Sequence, residues 1–390
     1  MQQARLAFLP RFVSSLTPTF NSPLLGSTAA NALGRFRFRS ASELAGYSFV
    51  SANATTEYGA LAGVTGNLDL AGRLRATLRR NVALLEAARA GTEASRRELI
   101  LAVNEAYYGL ALAAARRQSA ELDLTAAEES ERAAQLKFDA GKTAQVDVLR
   151  ARVHKAARRD ELEQARAAEA VAGDSLRTLI GYDFTTPIST TDLITALPDI
   201  TELNRFTEEW ISCRPELAQF DAKLRAAQQD VRVARAGRLP QLSYSINGGV
   251  DSDSLASSQL RDHTGVLASV SLTIPLFDWG ANRSRERQAR FSALSLESQR
   301  ALALRNLTQQ FYAARTQALS AASRAEILQT GVIDAERNLR LSIARYRAGE
   351  TQLDEVTEAQ TALANTRVAL YQALFDYQIS RRRLAQAACQ

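Results

Sequence analysis

The sequence is short of the residues from which active sites are built. Its two cysteines, Cys213 and Cys389, lie far apart and follow no metal-ligand spacing, so neither a disulfide framework nor a zinc site is expected. Its two histidines, His154 on a predicted helix and His263 in a polar loop, have no Cys, Asp or Glu at ligand spacing. That argues against a metal centre and against a His-based triad. No glycine-rich phosphate loop and no nucleophile elbow occurs. The Asp251-x-Asp253 pair lacks the rest of a calcium loop and reads as solvated. The expectation is therefore no enzyme, no cofactor and no metal. No apolar run reaches the roughly 18 residues that a membrane-spanning helix needs. The opening stretch from Met1 to Pro10 is too short in its apolar part to be an export signal.

Aromatic residues make up only 7% of the 390, with a single methionine, whereas alanine is abundant. Such a chain suits long, closely packed helices better than a core of large side chains. The net charge of +6 alone would suit nucleic acid, but 48 basic residues interleave with 42 acidic ones, as on solvated helix faces. Nucleic-acid binding is not expected.

The same unit occurs twice. Gly72 and Gly280, Gly141 and Gly349, and Leu176 and Leu384 are each 208 residues apart, which marks an internal duplication. Leu9-Pro10 and Leu239-Pro240 are 230 apart, so the first copy carries 22 extra residues before Gly72. In the second copy a helix beginning at Arg214-Pro215-Glu216-Leu217 precedes the Leu-Pro, while the first copy holds only its last residues. The expectation is that the first helix and an export signal lie upstream of Met1.

From Ala281 to Tyr346 there is no proline. Leu304, Leu307, Phe311, Ala314, Ala318, Ala321, Ala325, Leu328, Val332, Ala335 and Leu339 step by three and four, the seam of a coiled coil. Its counterpart runs from about Arg73 to Phe138, and shorter partner helices follow the turns at Gly141 and Gly349. Between Pro240 and Pro275 the period falls to two. Leu242, Tyr244, Ile246 and Val250, then Val266, Ala268, Val270, Leu272 and Ile274, alternate with mostly polar residues. The first copy repeats this more weakly, with Phe12, Val13, Leu16 and Phe20, then Tyr47 through Leu70. The segments are thus 1–72, a first β-hairpin with a helical remnant; 73–181, a first long helical hairpin; 182–213, a linker; 214–238, a helix; 239–280, a second β-hairpin; and 281–390, a second long helical hairpin. An open four-stranded sheet cannot sit in lipid with bare edges. Two chains would close eight strands, whose interior side chains fill; three would close twelve, enough for a lumen.

These landmarks resemble the TolC family of outer-membrane efflux proteins. The second copy carries most of the likeness, in Arg214-Pro215-Glu216-Leu217, Leu239-Pro240, Ile274-Pro275-Leu276-Phe277-Asp278-Trp279-Gly280 and Tyr346-x-x-Gly349. The resemblance implies a mainly α fold with a small β part: duplicated helical hairpins forming an α-barrel, and four strands per protomer in a twelve-stranded transmembrane β-barrel. It implies a homotrimer in the outer membrane with a large periplasmic part. The chain would be the passive exit duct of a tripartite efflux or type I secretion system, partnered by a periplasmic adaptor, an inner-membrane pump and outer-membrane lipid. Tips at Gly141 and Gly349 would meet the adaptor. Tyr346, Glu355, Glu358 and Asp147 would surround the mouth, the acids in rings. Some members carry a basic residue two positions after the second-tip glycine; here Thr351 stands there, so gating is expected to rest on packing around Tyr346 and Leu353. Trp279 suits either a membrane-interface anchor or tight packing at the strand–helix junction. The competing reading is a soluble coiled-coil scaffold or a periplasmic adaptor, which leaves the two alternating hairpins unexplained.

Overall fold

The computed structural model describes residues 5–20, 56–190, 197–252 and 264–388. The expectations for Tyr47 to Val50, for the Asp251-x-Asp253 loop beyond Ser252, for His263 and for Cys389 concern residues outside these.

Among the described residues, four strands and five α-helices follow in the order β1 (Arg11–Phe20), β2 (Thr56–Leu68), α1 (Arg73–Asp139), α2 (Gln145–Ile180), α3 (Pro215–Ala236), β3 (Gln241–Ser252), β4 (Thr264–Thr273), α4 (Ala281–Ala348) and α5 (Leu353–Ala387). Two short 3-10 turns, Ile200–Arg205 and Glu208–Cys213, occupy the linker before α3. No helix among the described residues is long and apolar enough to cross a membrane.

Both long helices start in the same way. Asp69 accepts hydrogen bonds from the backbone N–H groups of Leu74 and Arg75, at 2.9 and 3.0 Å. Asp278 accepts from those of Gly280 and Asn282, at 3.0 and 2.8 Å. A carboxylate placed there satisfies donors that the first helical turn leaves bare. Those two backbone bonds, the Asn282 one foremost, hold the Asp278 carboxyl below the usual range.

The chain divides into two compact units. The first, Met1–Ala88 with Phe220–Gln299, holds the sheet. Its strands pair antiparallel in the order β1-β2-β3-β4, which leaves β1 and β4 as edges. Within this unit α3 lies along the start of α1 through Arg80–Asp230 at 3.1 Å and Arg225–Glu86 at 2.7 Å. Its end is pinned to the start of α4 by the buried Glu286, which takes Arg238 at 3.2 Å and Arg290 at 2.6 Å.

The second unit, Arg89–Gln219 with Arg300–Gln390, is helical. The predicted seam is what packs: Leu307, Phe311, Ala314, Ala318, Ala321, Ala325 and Val332 are buried, and Leu328, Ala335 and Leu339 lie against them. Leu304 departs from the expectation and is exposed, so burial on α4 begins one step later. Small residues bring α4 and α5 close together. A methyl group added at Gly331 would stand 3.3 Å from Thr366 Cγ2.

The cysteine reading needs correction. Cys213 is disulfide-bonded. Separation along the chain misleads here, because folding brings distant segments together: Ile211, beside Cys213, shares a buried cluster with Ala387 and Ala388 of the C-terminal end.

Candidate functional site

Two features of the chain carry functional information, and each lies within one unit. In the first unit, register sorts the strands into two chemically distinct faces. Phe12 pairs with Val64, which pairs with Ile246, which pairs with Ala268. Leu16, Ala60 and Val250 form another such row, and Gly66, Tyr244 and Val270 a third. This face is mostly apolar, broken by Ser14, Ser252 and Thr264, and it is open: Phe12 is 87%, Leu16 85% and Val266 77% exposed. The opposite face carries Thr65, Asn67, Ser243, Ser245, Asn247, Ser269, Ser271 and Thr273, with the hydroxyls of Ser245 and Ser269 bonded at 2.8 Å. An apolar face this extensive is costly in water. Strands of 10 to 13 residues match the length that crosses a bilayer when tilted. At the junction with α4, Trp279 stands at φ 53°, a left-handed conformation rarely taken by a bulky residue. It is 91% exposed and meets the Phe277 ring edge-on at 4.8 Å. Tight packing against the rest of the chain is therefore not what holds it.

In the second unit, the turns after α1 and α4 place Gly141 at φ 69° and Gly349 at φ 83°. This left-handed step lets the backbone N–H groups of Lys142 and Glu350 return to the carbonyls of Lys137 and Arg345, at 2.8 and 3.0 Å. The helices that follow begin with carboxylates. Asp147 accepts a hydrogen bond from the Thr143 hydroxyl, and Glu355 from the Thr351 hydroxyl. The two pairs are the same local device, 208 residues apart. Glu355 also takes Arg345 at 2.6 Å and Ser342 Oγ at 3.3 Å. The Thr351 bond, then the Arg345 charge and its hydrogen bonds, hold its carboxyl below the usual range against some burial. Glu358 is exposed on α5.

The two tips share one apolar core: Ala134, Val148, Ala151, Tyr346, Leu353 and Val356. Tyr346 and Leu353, expected as packing residues, both lie in it. Burial, aided by the charge of Asp147, pushes the Tyr346 phenol up. Two polar contacts join the tips, and sequence reasoning missed both. The Lys137 ammonium donates to the Tyr346 carbonyl and lies 3.7 Å from the centre of its ring. Arg150 reaches Asp354 at 2.9 Å. The structure thus brings Tyr346, Asp147 and Glu355 into one neighbourhood. Among the described residues no group of three His, Cys, Asp or Glu side chains is arranged to hold a metal.

Long helical hairpins in two copies, with a four-stranded sheet that is mostly apolar on one face, make a mainly helical fold of the kind seen in outer-membrane channels. A family model described as outer membrane efflux protein matches residues 1–182 and 208–390, and the chain belongs to that family. Its members are channels rather than enzymes. The chain is 23% identical to outer membrane protein TolC of Escherichia coli over 171 residues, 41% of this chain and 35% of that one. It is 31% identical to protein CyaE of Bordetella pertussis over 221 residues, 56% of this chain and 47% of that one. It thus spans between a third and a half of these relatives. The fold matches the outer membrane protein VceC of Vibrio cholerae with a TM-score of 0.82, at 17% identity, covering 99% of this chain and 88% of that one. Family membership disfavours the soluble scaffold and the adaptor.

Proposed function

We propose that this chain is one protomer of a trimeric outer-membrane exit duct, a passive conduit served by a periplasmic adaptor and an inner-membrane pump. One observation carries the reading: a four-stranded sheet with a largely apolar, exposed face and, among the described residues, two unpaired edges, on a chain otherwise made of long helical hairpins. Lipid is the solvent that suits such a face. The β1 and β4 edges need partners, and in lipid those partners are the β4 and β1 edges of sister chains. Three copies give twelve strands, with the serine- and asparagine-lined face turned to a wet lumen. The exposed Trp279 and Phe277 then suit the membrane interface, where aromatic residues gather.

The tips at Gly141 and Gly349 form the mouth and the adaptor contact in this reading. Tyr346 and Leu353 close it by packing. Threefold repetition places Glu358, and Glu355 and Asp147 behind their local bonds, in acidic rings that favour cations.

Mass measurement in detergent, heat-modifiable migration of an outer-membrane fraction and conductance in planar bilayers test the proposal together. A trimer that resists unfolding in cold detergent and conducts is the expected result. A monomer recovered in the soluble fraction, with no conductance, overturns it.

A further inference from the structure

The apolar core of the helical unit is interrupted. One cluster gathers Ala111, Leu112, Ala325, Val332, Leu363, Leu370, Ala373 and Leu374. The other is the core of the tips around Tyr346. Between Leu112 and Ala134, α1 buries Ala127 but also turns polar groups toward α2 and α5. Ser119 and Asp123 of α1, His154 and Arg158 of α2, and Gln360 of α5 make up this layer. The Gln360 amide donates to the Ala126 carbonyl at 3.2 Å and to Ser130 Oγ at 3.0 Å, which ties α5 to α1. Ser119 Oγ, His154 Nε2, Arg158 Nε and Gln360 Oε1 are buried here without a well-formed hydrogen bond, although the Gln360 amide faces the imidazole and Ser119 faces Asp123. Ser119 is 3% and Gln360 7% exposed.

Each such orphan costs about 1–3 kcal/mol, and well-packed cores hold few of them. The second copy of the repeat shows that the fold does not require the layer. The positions 208 residues beyond Asp123, His154 and Arg158 are Gly331, Ala362 and Thr366, where α4 and α5 pack in direct contact. Polar groups have been placed in the first copy at a cost that the second avoids.

We propose that His154 is a proton sensor set in this layer, and that acidification loosens the packing of α5 against the α1–α2 hairpin. The charged groups around the layer are Arg158 and Glu161 on α2, Asp123 on α1, and Arg367 on α5 with its partner Glu336 on α4, at 2.8 Å. Glu131 of α1 is occupied by Lys155 and Arg152. Burial first, and then the charge of Arg158, push the His154 imidazole below its ordinary pKa against the opposing pull of the Gln360 amide, so the packed arrangement favours the neutral form. Parting α5 breaks the Gln360 bonds and admits water to Nε2, restoring an ordinary pKa near 6.5. Stability of the packed arrangement is therefore complete above about pH 6.5 and declines as pH falls below it. Asp123 acts in the opposite sense. Burial raises its carboxyl, so the packed arrangement gains as that group takes up a proton at lower pH. The loosening is accordingly confined to a window below about pH 6.5. This inference concerns packing within one chain and does not depend on conduction.

The test is hydrogen–deuterium exchange of the full chain in detergent between pH 7.5 and 5.5, corrected for intrinsic rates. In the segments 147–162 and 353–370, opening should rise by up to about tenfold per pH unit below 6.5, the limit for one proton. His154→Gln should leave protection flat across the window. Unchanged protection in the unsubstituted chain, or the same loss in His154→Gln, overturns the proposal. Imidazole C2–H exchange on the unsubstituted chain gives a second reading that needs no variant to fold. His154 should titrate below 6.5, and a value at or above 6.5 overturns the proposal.

Discussion

Neighbouring residues on β4 offer a sharp test of the sheet, because they differ in face and in little else. Val270 pairs with Tyr244 on the apolar face, and Ser269 pairs with Ser245 on the polar one. Both lie near the middle of a ten-residue strand, where a tilted strand passes the bilayer midplane. A lysine on the lipid side at that depth costs about 2–4 kcal/mol. Val270→Lys should therefore shift folding into vesicles by about 30- to 1,000-fold per chain. Ser269→Lys loses one hydroxyl–hydroxyl bond but keeps its charge in water, at about 1 kcal/mol. The assay is the fraction of heat-resistant form after refolding into phosphatidylcholine vesicles across a urea series. Val270→Lys should move the midpoint strongly and Ser269→Lys only slightly. Equal shifts, or a larger one for Ser269→Lys, would show that the apolar face does not meet lipid.

At the tips, Lys137→Met keeps the aliphatic stem but removes both the cation over the Tyr346 ring and the bond to its carbonyl. Together these are worth about 1–2 kcal/mol. Larger or more frequent openings in planar bilayers are expected, and unchanged conductance argues against a role for the contact in closure. Glu355→Ala combined with Glu358→Ala should lower cation selectivity in reversal-potential measurements; unaltered selectivity refutes the acidic rings. Cys213→Ser should lower the melting temperature. Losing a disulfide typically costs about 2–4 kcal/mol. A reductant should reproduce the loss in the unsubstituted protein but leave the variant unmoved.

Features written in a repeating local pattern were legible in the sequence. The steps of three and four from Leu307 to Leu339 announced which side of α4 is buried, since a helix turns its residues at a fixed rate. Alternation did the same for β3 and β4, and the glycines at 141 and 349 marked turns that only a left-handed step can make. In β1 and β2 small residues such as Ala60, Ala62 and Gly66 blurred the alternation, and their partnership with β3 emerged only from the register. Contacts between distant segments left no such trace. Nothing local to Lys137 indicates that it ends over Tyr346, and nothing near Cys213 indicates its disulfide. His154 looked like an ordinary helical histidine because its setting is supplied by Gln360, some two hundred residues away.

The duplication itself explains why these particular contacts escaped notice. A bond made inside one hairpin can be the same in both copies, and Thr143 with Asp147 repeats faithfully as Thr351 with Glu355. A bond between the two hairpins cannot repeat within one chain, because each hairpin meets the other from a different side. Lys137 and Arg345 occupy equivalent positions, yet Lys137 crosses to Tyr346 while Arg345 folds back onto Glu355 of its own hairpin. Arg150, which reaches Asp354 of the other hairpin, is answered in the second copy by the exposed Glu358. Equivalent positions that have kept their chemistry therefore mark what holds each hairpin together, and those that have diverged mark where the hairpins meet. By that criterion Arg150 and His154 belong to a single interface, which Lys137 crosses as well although its equivalent is also basic, and it is the one along which the two hairpins of the chain would have to part.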